Sequence, residues 1–60
     1  MTVKFIPVVT NTEKPFLVKS TTPDESFEEA FIKAVSLCTR LNNTFETTSY
    51  EASVEEVVVD

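Results

Sequence analysis

A run of mostly apolar residues, bounded by Thr and Asn, predicts a β-strand at the start of the chain. Residues 2–10 are mostly β-branched or aromatic, which favours extended backbone. Pro7 lies inside this segment and cannot donate a ladder hydrogen bond, so it predicts an edge position, a bulge or a kink. A turn-forming cluster follows, in which Asn11 is the candidate for a left-handed residue. A second strand over residues 16–21 would complete a β-hairpin.

The middle of the chain has the 3.6-residue periodicity of an amphipathic helix. Thr22, Pro23 and Glu25 supply an N-cap, a proline at the first helical position and a glutamate at the third, which is the capping-box pattern. At the other end, Asn42 and Asn43 can supply the left-handed cap that glycine usually gives. The apolar residues form one broad stripe: Phe27, Ala30, Phe31, Ala34, Val35, Leu37, Cys38 and Leu41.

Two further extended segments follow the helix. Residues 44–52 predict a strand, and residues 54–59 either continue it or form a short separate strand. The element order is therefore β-β-α-β, with or without a fourth strand. We expect one small α+β domain over residues 1–60, in which one amphipathic helix packs on one face of a mostly antiparallel sheet.

A single helix covers only one face of such a sheet, yet the first strand carries apolar side chains on both faces. Ile6, Val8 and Leu17 fall on the uncovered face, with Tyr50 as a further candidate. A contiguous exposed apolar patch is typical of an interface, although single exposed apolar residues are ordinary. Ile32, on the far flank of the helix, is the next interface candidate.

The short chain also favours self-association. A domain of 60 residues buries only about 60% of the surface that its unfolded chain exposes, so it is marginally stable without further support. One Cys cannot form an internal disulfide, and without His a zinc site would need Cys38 and carboxylates, a poor match to structural zinc sites. We therefore expect a homo-oligomer, with a dimer favoured; good local packing is the alternative.

The residue counts weigh against catalysis and cofactor binding. His, the commonest general base, is absent, and without Gly there is no phosphate-binding loop. Cys38 lies at the centre of the apolar stripe, which is typical of an inert core thiol rather than a nucleophile. A calcium loop is not supported because its spaced acidic pattern and central Gly are missing. We expect no enzyme activity, no cofactor and no metal.

The chain has ten acidic and five basic residues, a net charge of −5. An acidic patch is predicted at the start of the helix, formed by Asp24, Glu25, Glu28 and Glu29. Negative charge disfavours binding to nucleic acid and to anionic membranes. It suits a protein partner with a basic surface, although ordinary solubility explains it equally well.

A single Cys suits a reducing compartment, no apolar run approaches the roughly 20 residues of a membrane span, and the N-terminus lacks the features of a signal peptide. We therefore expect a cytoplasmic protein.

The sequence leaves three hypotheses for the function of the protein. The first is a protein-interaction module of accessory or inhibitor type that self-associates through an exposed sheet face or an edge strand. The second is an oligomeric small-ligand carrier that uses apolar sheet faces, with Tyr50 or Phe45 as contacts. The third is an acidic mimic of nucleic acid.

Overall fold

A computed structural model describes all 60 residues and has the element order β-β-α-β. The strands are β1 (Thr2–Asn11), β2 (Leu17–Lys19) and β3 (Tyr50–Val59), and the helix is α1 (Phe27–Thr44). The strands form one antiparallel sheet in the order β2-β1-β3. One helix packed against a three-stranded antiparallel sheet confirms the expected small α+β fold.

β1 is the central strand even though it contains Pro7. The carbonyl of Pro7 accepts a hydrogen bond from the Ser20 N–H at 3.3 Å, so this residue faces β2. In an antiparallel strand the N–H and C=O of one residue point to the same side. The donor that proline lacks is therefore missing on the β2 side only, and the ladder between β1 and β3 runs unbroken.

β2 is short because the chain bulges away from β1 opposite Pro7. Lys19 pairs with Val8, but the next pair joins Asp24 to Phe5, so residues 20–23 lie opposite only two residues of β1. Two backbone hydrogen bonds of 2.6 and 2.8 Å close the pair between Asp24 and Phe5. The second strand predicted over residues 16–21 is therefore too long at both ends.

α1 begins one turn later than the sequence predicts. Its N-cap is Ser26, whose Oγ accepts a hydrogen bond from the Glu29 N–H at 3.1 Å. The predicted cap at Thr22 is wrong because the backbone of Asp24 is held in an extended pair with β1 and cannot enter a helix. Ser26 and Glu29 have the same spacing as Thr22 and Glu25, so both sites match the capping-box pattern.

α1 also ends later than predicted, at Thr44, and the left-handed residue that follows is Glu46, with φ of 50°. The Glu46 N–H bonds to the Asn43 carbonyl at 3.4 Å, and the Thr47 N–H bonds to the Asn42 carbonyl at 3.0 Å. This is the Schellman arrangement, which usually has Gly at the left-handed position. The expectation that Asn42 and Asn43 would form the cap is wrong, because both remain helical.

β3 is one uninterrupted strand of ten residues. The strand predicted over residues 44–52 starts too early, because the end of the helix and the turn after it occupy the chain as far as Ser49. The segment over residues 54–59 continues the same strand, which settles the alternative that the sequence left open. β3 pairs with β1 from Tyr50 opposite Asn11 to Val59 opposite Thr2.

The core is small and lies between α1 and the two long strands. Ala30 and Ala34 face the sheet and are fully buried, beside Val9 of β1. Val8, on the other face of the sheet, is the only other buried apolar residue. Most of the apolar stripe of α1 therefore remains partly or largely exposed.

Substitution at the two capping-box sites should lower the free energy of unfolding by different amounts. Ser26→Ala leaves the Glu29 N–H without its partner, so we expect the free energy of unfolding to fall by about 1 kcal/mol. Thr22→Ala is the matched control and should change it by less than about 0.5 kcal/mol, since that side chain caps nothing. Urea denaturation followed by circular dichroism measures both. A larger loss at Thr22 would contradict the helix start described here.

Candidate functional site

One side of α1 carries four large apolar residues that remain exposed. This apolar flank consists of Phe27, Phe31, Ile32 and Val35, whose exposed fractions lie between 40% and 57%. Ala30 and Ala34 occupy the helix positions closest to the sheet, so the bulkier residues point past the sheet rather than into it. A contiguous exposed patch of this kind is typical of an interaction surface.

Aromatic contacts hold the N-terminal part of the apolar flank in place. The Phe27 ring stacks on the Phe31 ring, with centroids 5.8 Å apart and planes 10° from parallel. Phe5 of β1 meets Phe27 edge to face at 6.0 Å. Such pairs stabilise by about 0.5–1.5 kcal/mol beyond the area that they bury. The rings are therefore anchored to the sheet on one side and open to solvent on the other.

The apolar flank lies on the β3 side of the helix. Cys38, on the same side of α1, donates from its Sγ to the Tyr50 carbonyl of β3 at 3.1 Å. On the opposite side of α1, Lys33 and Leu37 line a groove of about 240 Å³ beside Val18 of β2. The apolar flank and the outer edge of β3 therefore face the same direction.

The outer edge of β3 presents unpaired backbone groups, because β3 is the last strand of the sheet. Phe5 and Asn11 bond towards the β2 side, so the odd-numbered residues of β1 face β2 and the even-numbered ones face β3. Each even residue of β1 pairs with an odd residue of β3. The residues of β3 that point their N–H and C=O groups outward are therefore the even-numbered ones: Tyr50, Ala52, Val54, Glu56 and Val58.

Asn42 of α1 closes one end of this edge. The Tyr50 N–H donates to Asn42 Oδ1 at 3.1 Å, and Asn42 Nδ2 donates to the Tyr50 carbonyl at 3.4 Å. The side-chain amide thus takes the place that a neighbouring strand would have at Tyr50. The unpaired part of the edge begins at Ala52.

The residues predicted to form an interface on the uncovered sheet face are less exposed than expected. Val8 is only 6% exposed and Ile6 is half-buried, while Leu17 at the margin is 56% exposed. An ion pair of 2.6 Å between Lys19 and Glu55 joins β2 to β3 across the central strand. Since Lys19 lies directly opposite Val8, the aliphatic parts of this pair shield the middle of the face.

Tyr50 lies on the helix-covered face, not on the uncovered face where the sequence placed it. Tyr50 pairs with Asn11. Asn11 points to the same face of the sheet as Val9, because the two residues are two positions apart in β1. The Tyr50 ring contacts Phe16 at 5.4 Å and Phe45 at 6.1 Å. The open groove beside it, about 350 Å³ in volume, has only two apolar residues among its six lining residues. A groove with so few apolar residues does not enclose an apolar ligand, so it does not support the ligand-carrier hypothesis.

Only three members of the predicted acidic patch lie at the surface. Glu25, Glu28 and Glu29 are exposed, whereas Asp24 is 8% exposed. Lys4 Nζ lies 3.9 Å from a carboxylate oxygen of Glu25. The patch is therefore smaller than expected and does not include Asp24.

Asp24 connects the sheet to the helix instead. Its Oδ1 accepts a hydrogen bond from Lys33 Nζ at 2.5 Å, while its Oδ2 is buried without a hydrogen-bond partner. The hydrogen bond to Asp24 raises the pKa of Lys33 above its ordinary 10.5; desolvation acts in the opposite direction, and the charges of Asp24 and Glu29 add to the rise. This ion pair fixes the start of α1 over β1.

The potentially reactive groups do not converge on one point. No group of three or more His, Cys, Asp or Glu side chains is placed to hold a metal ion. The Cys38 thiol is half-buried and bonds to the backbone of β3, as does its neighbour Asn42, whose Nδ2 lies 3.6 Å from the sulfur. These groups join helix and strand.

The sequence places Phe27, Phe31 and Val35 on the apolar stripe that packs against the sheet, and predicts only Ile32 as an exposed apolar residue of the helix. The two alanines in the stripe were the available signal. A small residue at the closest point of a helix lets the backbone approach the sheet, and larger residues beside it are then displaced outward. The direction in which they are displaced, towards β3, depends on the sheet order and could not be read from the helix alone.

No protein-family model matches this chain, and neither a curated protein nor a solved structure is significantly similar to it. No helix has the length and apolar composition required to cross a membrane.

The Lys33–Asp24 pair should stabilise the fold in a defined pH range. Because the pKa of Lys33 is raised on folding, its contribution is fully present below pH 10.5 and is lost as the pH rises through the folded-state value. We expect the difference in unfolding free energy between the wild type and Lys33→Met to be constant from neutral pH up to 10.5 and to shrink above it. Denaturant titrations across this range measure it. Lys14→Met, which removes an exposed lysine, should show no such change; an equal decline there would contradict the assignment.

Proposed function

We propose that the protein is a small cytoplasmic protein-interaction module that self-associates, as a dimer, and binds and modulates a partner protein. The observation that carries this proposal is the apolar flank of α1, exposed beside the unpaired edge of β3. It supports an interaction role because it is preformed and anchored by Phe5.

Self-association is supported by the small core. Four apolar residues are buried, two of them alanines, whereas the four residues of the apolar flank are all at least 40% exposed. Removing apolar surface from water stabilises by about 25 cal/mol per Å². A second copy placed against the apolar flank would supply burial that the single chain lacks, as is common for small domains.

The partner is proposed to be a protein with a basic surface. Glu25, Glu28 and Glu29 lie at the start of α1, and the chain carries a net charge of −5. The same charge opposes association with phosphate backbones. With Asp24 buried, the patch at the start of α1 has only three surface carboxylates, which are few for the imitation of nucleic acid, so the interaction module is the better-supported hypothesis.

Light scattering at micromolar concentration tests self-association. We expect a mass of twice 6.7 kDa for the wild type. Phe31→Lys should raise the dimer dissociation constant about tenfold or more, because it places a charge in the buried contact. Leu17→Lys, the same kind of change on the uncovered sheet face, is the control and should leave the mass unchanged. Loss of the dimer in Leu17→Lys but not in Phe31→Lys would assign self-association to the uncovered face. A monomeric wild type would contradict self-association.

Affinity capture from the native source tests partner binding. We expect a basic protein to be retained in a salt-sensitive manner and to be lost from the double variant Glu28→Lys, Glu29→Lys, because the charges that attract it are reversed. The double variant Glu13→Lys, Glu46→Lys changes the net charge equally at other exposed sites and should still retain it. Equal loss from both variants would show that only net charge matters and would contradict a specific acidic surface.

A further inference from the structure

We propose that two copies of the chain join through the outer edges of their β3 strands, antiparallel about a two-fold axis at Val54, to form one six-stranded sheet. This inference rests on the proposed self-association and specifies its interface and register. The strand order would be β2-β1-β3-β3-β1-β2, with both helices on the same face.

The glutamates of β3 exclude most registers. In an antiparallel pair related by a two-fold axis, the residue on the axis lies opposite its own copy, and its neighbours pair symmetrically about it. An axis at Glu51, Glu55 or Glu56 therefore sets like charges directly opposite each other, which is destabilising. An axis at Ser53 sets Glu51 opposite Glu55 of the second copy, with the same result.

Among the remaining positions, Val54 allows the longest pairing. With the axis there, residues 51–57 can pair, and each glutamate lies opposite Ala, Ser or Val. An axis at Ala52 or at Val57 also avoids opposed glutamates, but each pairs only about half of β3. An axis at Val58 brings Glu56 opposite Asp60.

The free backbone groups match this register. Ala52, Val54 and Glu56 point their N–H and C=O groups outward. An axis at Val54 makes Val54 bond to its own copy and Ala52 bond to Glu56 of the second copy. The ladder then stops at Tyr50, where Asn42 already occupies both backbone groups.

The same axis brings the two apolar flanks together. α1 runs antiparallel to β3, with Phe27 near the level of Phe5 and Asn42 at the level of Tyr50, so Phe31 lies near the level of Val54. Strands are spaced about 4.8 Å apart, and two helices that each lie over β1 and β3 would be about 10 Å apart. That is the usual distance for packed helices.

The assembly closes at two copies. Once the β3 edges are paired, the exposed edges are the two β2 strands, each only three residues long and followed by the bulge opposite Pro7. A short, bulged edge is a poor template for further strand addition. A dimer rather than a fibre is therefore the product.

Single-cysteine cross-linking tests the register in the full chain. Cys38→Ser removes the native thiol, and Cys is then placed at 52, 54 or 57, one position per variant. These are the axis positions that avoid opposed carboxylates and pair about half of β3 or more. With the axis at Val54, the two copies of residue 54 lie about 5.5 Å apart between Cα atoms, within the range for a disulfide. The two copies of residue 52 would be about 14 Å apart, and those of residue 57 further still.

We expect mild oxidation to give covalent dimer at least about tenfold faster for Val54→Cys than for Ala52→Cys or Val57→Cys, by non-reducing gel electrophoresis. Faster cross-linking at 52 or 57 would overturn the register. If light scattering shows a dimer but no site cross-links, the β3 interface is wrong while self-association stands. If the Cys38→Ser parent and the wild type are both monomeric, self-association itself fails.

Proline substitutions give a second measurement that does not depend on oxidation. Val54→Pro removes an outward N–H that the fold does not use but the dimer needs, so the mass should fall to that of a monomer with an unchanged circular dichroism spectrum. Val58→Pro removes an outward N–H beyond the end of the ladder and should leave the dimer mass unchanged. Loss of the dimer in both variants, or in neither, would overturn the register.

Discussion

The close approach of α1 to the sheet, made through Ala30 and Ala34, determines which other side chains can be buried. Both side chains are fully buried although each is only a methyl group, which requires the helix backbone to lie near the strands. Larger residues beside the alanines then have no room beneath the helix. The exposed apolar flank is the direct consequence of a tight but narrow core, and it gives a chain of this size a preformed surface for association.

The backbone N–H and C=O groups of β3 point in opposite directions for odd-numbered and even-numbered residues. Odd-numbered residues complete the sheet with β1, and even-numbered residues face outward, where Asn42 satisfies the first of them, Tyr50. Glu51, Glu55 and Glu56 are distributed along the strand and restrict which other strand can pair with its outer edge. The same ten residues thus complete the fold and limit unspecific edge pairing, which is how natural sheets commonly protect an exposed edge.

The spacing of apolar residues was sufficient to predict one amphipathic helix among three strands. An element that buries one face has apolar residues at regular intervals, and these intervals are visible in the local sequence. The helix boundaries were not predictable in the same way. Thr22 and Ser26 both begin a capping-box pattern, and only the pairing of Asp24 with β1 decides between them. Glu46 at the left-handed position carries no local signal. The location of the apolar flank beside an open edge depends on strand order, which long-range pairing alone determines.

Pro7 removes a donor on the β2 side only, so β1 has one continuous ladder, and that ladder joins the two most distant parts of the sequence, Thr2 with Val59. The order of folding follows from this arrangement. A hairpin with three paired residues and an isolated helix are both only marginally stable, and neither can persist until β3 closes a loop of almost the whole chain. Folding should therefore be limited by one non-local event, the pairing of β3 with β1.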